Sequence, residues 1–197
     1  MNRRLSTRLE KILLAVGLLA LGYWGAEFVS ARLYQLNEAR QFGSSAPSVS
    51  REESHATPQP YPASGSSIAI LTIPRLGLSA VVVEGAEERE LKLGPGHIRR
   101  TSLPGAGGNV GVAGHRDTFF RPLRLIRKDD LINLTTHDRE YVYRVVSTEI
   151  VEPDDVQVLR AKGHETLTLV TCYPFDFVGS APKRFIVHAD CVACPDR

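Results

Sequence analysis

Thr166-Leu-Thr-Leu-Val-Thr-Cys-Tyr-Pro174 is the stretch on which the fold turns. It alternates as a strand does, with Leu167, Leu169 and Thr171 on one face and Thr168, Val170 and Cys172 on the other. Pro174 cannot donate to a sheet and biases Tyr173 away from helix, so the strand is expected to stop near Cys172. That leaves a cysteine at a rigid strand tip, open to a ligand, where a nucleophile is well placed. The ordinary alternative is a small buried residue, since free cysteine is among the most buried types.

Outward from this strand the pattern repeats. Ser67 opens an alternating run through Ile73, which Pro74 breaks. Leu78 to Val83 is a second strand, closed by Glu84-Gly85. Ala86 to Leu93 is the best helix candidate, ended by Gly94-Pro95-Gly96. Further strands are expected at Asn109–Gly114, Leu131–Thr135, Glu140–Val151 and Arg184–Ala189, with short helical turns around Phe119–Leu125 and Pro153–Leu159. Seven or eight short strands with turn signals between them and little helix argue a mostly-β barrel or sandwich, not βαβ units.

The chain has 197 residues, 43% hydrophobic and 23% charged, enough for one packed domain with extensions. A formal net charge of +2, without a basic run interleaved with aromatics, does not suggest nucleic acid as a partner. Residues 1–11 carry Arg3, Arg4, Arg8 and Lys11 and read as a cytoplasmic tail. Residues 12–31 read as a single transmembrane anchor, with Tyr23 and Trp24 in the aromatic belt and Glu27 at the far interface. A cleaved signal peptide, cut near Ala20-Leu21-Gly22, is the alternative. Residues 32–66, rich in serine and proline beyond a short polar helix, read as a solvated stalk. The folded domain is expected over 67–190, and 191–197 is a cysteine-containing tail. Cys191 and Cys194 are expected either to pair locally or to stay reduced, leaving Cys172 free.

A nucleophilic cysteine needs a group to carry its proton and donors for a developing oxyanion. His115 follows the apolar strand Asn109–Gly114, so it too stands at a strand end. His137 and His164 sit in polar turns and His55 in the stalk, where a solvated role is the default. Arg184 opens the last strand, on the face opposite Phe185, Val187 and Ala189; its guanidinium can donate and does not deprotonate. Taken singly, His115 reads first as a structural hydrogen-bonding residue and Arg184 as a solvated strand end. No His/Asp/Glu cluster has metal-ligand spacing, so no metal or cofactor is expected; Glu84, Glu87, Glu88 and Glu90 read as a solvated loop and helix face.

Three segments together resemble one family. Thr168-Leu-Val-Thr-Cys172 is similar to the Thr-Leu-X-Thr-Cys strand of sortases. Ala113-Gly-His-Arg-Asp-Thr-Phe-Phe120 resembles their histidine segment, and Lys183-Arg-Phe-Ile-Val-His-Ala189 their arginine strand. Ile73-Pro-Arg-Leu-Gly-Leu78 resembles the opening strand pair, and the Tyr173–Phe175 and Gly179–Pro182 segments look most like class D. The resemblance implies an eight-stranded β-barrel with short helices, behind a single membrane helix, with the barrel outside the cell membrane. It implies a cysteine transpeptidase that cleaves a C-terminal sorting signal of the Leu-Pro-X-Thr-Gly type through a thioacyl-enzyme. Its partners would be secreted proteins bearing that signal and an amine acceptor, in the cell envelope or on another protein. Carried over by position, Cys172 is the nucleophile, His115 the proton carrier and Arg184 the carbonyl or oxyanion donor, with Thr171 helping to shape the pocket. Two rivals stand beside this: a peptidase that resolves the thioacyl-enzyme with water, and a non-catalytic anchored β-barrel binding module.

Overall fold

The computed structural model describes residues 3–44 and 61–195. Eight strands close a barrel: β1 (Ser67–Ile73), β2 (Leu78–Glu84), β3 (Gly96–His97), β4 (Asn109–Gly114), β5 (Leu131–Thr135), β6 (Glu140–Val151), β7 (Thr166–Tyr173) and β8 (Lys183–Ala193). Around the wall the order is β1-β2-β3-β4-β7-β8-β6-β5, and β5 returns to pair with β1. The β2–β3 and β4–β7 pairs are parallel and the rest antiparallel.

Alternation decides which residues fill the barrel. Ala69, Leu71 and Ile73 point inward from β1, Val110 and Val112 from β4, Leu167 and Leu169 from β7, and Val187 and Ala189 from β8. These β-branched and aliphatic residues suit a pleated surface buried on one side. A 3-10 turn at Arg121–Leu125 sends Leu123 into the same core beside Phe120.

β3 is the strand the sequence pattern did not announce. Two residues, Gly96 and His97, have no period to read. Gly96 is there because β3 must approach the neighbouring backbone: a Cβ at this position would lie 2.1 Å from the Gly85 carbonyl oxygen. The helix expected at Ala86–Leu93 is observed as α2 (Glu88–Leu93). β8 continues to Ala193, so the first three residues of the tail expected over 191–197 belong to the barrel wall, and Cys191 and Cys194 form a disulfide with Cα atoms 6.0 Å apart.

The N-terminal helix α1 runs from Arg3 to Ser44 without a break. Among the described residues no helix is long and apolar enough to cross a membrane. The span expected over residues 12–31 includes Trp24, Glu27 and Phe28, whose side chains lie outside the described residues. Over its last turns α1 docks on the barrel. Gln35 uses both ends of its amide on one residue of β2: Val81 N donates to Oε1 at 2.6 Å and Nε2 donates to Val81 O at 3.1 Å and Leu93 O at 2.8 Å. Tyr34 donates to Gly65 O and Ser67 to Glu38. The short polar helix expected at the head of the 32–66 stalk is the end of α1, which runs on to Ser44; it and residues 61–66 differ from a solvated stalk in being bound to the barrel. The rest of that stalk, 45–60, lies outside the described residues, as does His55.

Candidate active site

The site is built by strand register. In the parallel pair β4–β7, Gly114 lies beside Thr171, so the next step along both strands sets His115 beside Cys172. In the antiparallel pair β7–β8, Cys172 lies directly opposite Arg184. Side chains alternate, and Val110, Val112, Leu169 and Val187 are inside the barrel. His115, Cys172 and Arg184 consequently share the outward parity and form one row across three adjacent strands. The chain brings together three residues that are 57 and 12 positions apart in sequence.

Each member of the row is partly exposed, so a substrate can reach it. Cys172 is a free thiol. Arg184 donates through Nη1 to the carbonyls of Ala181 at 3.3 Å and Lys183 at 3.0 Å, which fixes the guanidinium over the β7–β8 turn. Thr171 has the opposite parity and is buried; its hydroxyl donates to Gly114 O at 2.7 Å. That bond ties the two strand ends together immediately before His115 and Cys172. Gly114 is needed there, because a Cβ would meet the Phe120 ring at 2.6 Å.

One further residue at this rim was not singled out by the sequence reading. Arg116 spreads its guanidinium over three backbone carbonyls of the segment after β7: Pro174 O at 3.0 Å, Phe177 O at 2.6 Å and Gly179 O at 3.0 Å. Its position next to His115 was the available signal, but its acceptors are backbone atoms that no side-chain pattern reveals.

His97, His188 and His164 are occupied elsewhere. His97, fully buried, bonds through Nδ1 to Glu84 Oε2 at 2.8 Å, a pair that joins the ends of β2 and β3. Glu84 is thus 0% exposed and Glu90 is buried too, contrary to the solvated face expected for them. The reason is non-local: Glu84 acquires its imidazole partner only when β3 lies alongside β2. Arg99 stands 3.5 Å from its other oxygen. His188 is buried against Glu149 at 2.7 Å on the outer face of β8, and His164 lies 3.4 Å from Asp190 at the surface. Among the described residues no group of three His, Cys, Asp or Glu could hold a metal ion.

A thiol, an imidazole and a guanidinium in one accessible row can supply a nucleophile, a proton carrier and an oxyanion donor. Comparison with known proteins leads to the same place. A family model described as "Sortase domain" matches residues 71–192. Sortase D of Bacillus subtilis is 31% identical over 185 residues, spanning 89% of this chain and 93% of its own length. Sortase A of Bacillus anthracis is 30% identical over 64% of this chain and 60% of its own. Among solved structures, the Clostridium perfringens Sortase D5 transpeptidase superposes with a TM-score of 0.62 at 29% identity, covering 68% of this chain and 83% of that one. Sortase E1 of Streptomyces coelicolor, solved with a tripeptide in its active site, gives a TM-score of 0.59 at 32% identity, covering 66% and 90%. Two of these four relatives carry the D designation that the loop after Cys172 resembles. With the barrel order, the matched domain and these relatives agreeing, the chain belongs to the sortase family and is a sortase-type cysteine transpeptidase.

Proposed function

We propose that this chain is a membrane-anchored sortase that joins secreted proteins bearing a Leu-Pro-X-Thr-Gly-like C-terminal signal to an amine. The observation that carries the reading is the register that sets His115, one residue past the end of β4, next to Cys172 on β7, with Arg184 of β8 directly opposite Cys172. The Cys172 thiolate attacks the scissile carbonyl carbon, and its oxygen takes up the negative charge beside the Arg184 guanidinium. As the C–N bond breaks, His115 gives a proton to the leaving amine, and a thioester remains on Cys172. An incoming amine then attacks the thioester, His115 takes its proton, and the thiolate leaves with a new amide formed. Thr171 contributes by holding the β4 and β7 ends in register rather than by touching substrate.

Residues 1–11 serve as the cytoplasmic tail and 12–31 as the membrane span. Supporting this, Ile12, Leu14, Leu18, Leu19 and Leu21 are all more than half exposed on α1, an aliphatic surface that water does not favour. The Cys191–Cys194 disulfide agrees with a barrel outside the cytoplasm, where such bonds persist.

The test is intact-mass analysis of the full chain in detergent after incubation with a Leu-Pro-X-Thr-Gly peptide library and hydroxylamine. A hydroxamate product that disappears in Cys172→Ala, while that variant keeps the wild-type circular dichroism, is expected. Cleavage with water alone and no transfer to any added amine would make it a peptidase. No cleavage with Cys172 demonstrably reduced would remove this substrate class.

A further inference from the structure

His115 and Cys172 come from segments 57 residues apart, and a proton has to pass near one and the bond has to form at the other. Their spacing is therefore a matter of how firmly β4's exit is tied to β7's exit. Within the strands the tie is the ladder and the Thr171–Gly114 bond. Past the strand ends the ladder stops, and both reactive groups sit at that limit.

Arg116 bridges this gap. It is one residue after His115, and its first acceptor, Pro174 O, is two residues after Cys172. The same guanidinium continues to Phe177 O and Gly179 O, and its carbon lies 5.9 Å from the Phe177 ring centre. The segment it grips is otherwise loosely covered: Phe177 is 45% exposed and Val178 96% exposed. Three acceptors set around one planar fork define direction as well as distance, which an ammonium cannot do. None of the three is a carboxylate, so the cation is spent on ordering backbone rather than on forming an ion pair.

We propose that Arg116 is a positioning residue for the transpeptidation: it braces the histidine segment against the loop that follows the nucleophile, and so fixes the His115–Cys172 spacing. The proposal rests on the roles given to those two residues above. Loss of the brace lets the imidazole and the thiol drift, and a misplacement of about 1 Å costs on the order of 100-fold in rate.

The experiment is steady-state kinetics on Arg116→Ala, Arg116→Lys and Val178→Ala in the full chain, with thermal melts alongside. Arg116→Ala and Arg116→Lys are both expected to lower kcat by about 10- to 100-fold with KM changed less than about threefold. Methylguanidinium chloride is expected to restore part of kcat to Arg116→Ala and nothing to Cys172→Ala. Val178→Ala, on a 96% exposed side chain outside the brace, leaves all three acceptor carbonyls and is expected to retain kcat. Wild-type kcat in Arg116→Lys would overturn the brace, since a point charge would then suffice; a pure KM effect, or a kcat loss that methylguanidinium leaves untouched, would overturn it too. Should Arg116→Ala fail to fold, Arg116→Lys against wild type decides. A second reading needs no substrate: the rate of Cys172 alkylation by iodoacetamide should change in Arg116→Lys and stay unchanged in Val178→Ala. The kinetic arm compares variant with wild type, so an inactive wild type would count against the substrate class, while the alkylation arm would still judge the brace.

Discussion

Arg184 faces Cys172 across a single rung of the β7–β8 ladder, and its contribution depends on shape as much as charge. Arg184→Lys keeps the charge but loses the planar fork and the contacts with the Ala181 and Lys183 carbonyls. A drop in kcat/KM of about 100-fold, the scale of one lost oxyanion donor, is expected with the melting temperature nearly unchanged. Steady-state kinetics on the peptide substrate would check it, and near wild-type turnover would remove Arg184 from the mechanism. Asp130 illustrates a different residue-scale effect. Its carboxylate receives Arg75 Nε and Nη2 and the Arg127 amide, and the bonds from Arg75, the largest cause, hold its pKa below the ordinary carboxylate range despite burial. A lowered folded-state pKa contributes stability above the unfolded value and loses it as pH falls through the folded one. Asp130→Asn is expected to cost about 1 kcal/mol at pH 7, modest because Arg75 is partly exposed. Melts at falling pH should show the gap between variant and wild type closing below about pH 4; a gap constant with pH would show that charge is not its source. Cys172, His115 and Arg184 could be picked out as candidates because each sits where an apolar pattern stops. Glu84 was not, because its burial depends on His97, a residue in a strand with no pattern of its own.

At the level of elements, the longer strands could be read from their alternation, while β3 and the docking of α1 could not. Both depend on backbone: Gly96 on the absence of a Cβ near Gly85 O, and Gln35 on a pairing with Val81 that imitates a neighbouring strand. A glutamine in a polar helix gives no sign that it will cover a sheet edge. Gln35→Leu leaves the Val81 amide without this partner. Its hydrogen exchange in the full chain should accelerate about 10-fold or more, matching the loss of roughly 1–2 kcal/mol for a hydrogen-bonding pair. An unchanged Val81 rate would mean that α1 does not protect this edge. Gly94 reinforces the same contact, since a Cβ there would lie 2.5 Å from Gln35 Nε2.

For the molecule as a whole, the two sulfur sites are at opposite ends of β8. Cys191 lies seven residues beyond Arg184, which at the strand rise is roughly 23 Å from the row. The disulfide and the nucleophile therefore have no direct path to exchange within one barrel. The cystine closes a loop of only a few residues, so its entropic contribution is about 2 kcal/mol. Reduction with a phosphine should lower the melting temperature by a few degrees and leave thioacylation intact; loss of acylation on reduction, with Cys172 unmodified, would contradict that separation.

The docked helix has a consequence for where the enzyme can work. With residues 12–31 as the span, only Arg32 and Leu33 lie between the bilayer and the first docking contact, Tyr34. That is too little chain to act as a leash. On that proposal the row at His115, Cys172 and Arg184 would be carried at one fixed altitude and would sweep a thin layer parallel to the lipid surface, searching in two dimensions instead of three. On that proposed anchoring, substrates would have to be delivered into that layer, and a sorting signal would be read only while its own carrier is still held close to the membrane.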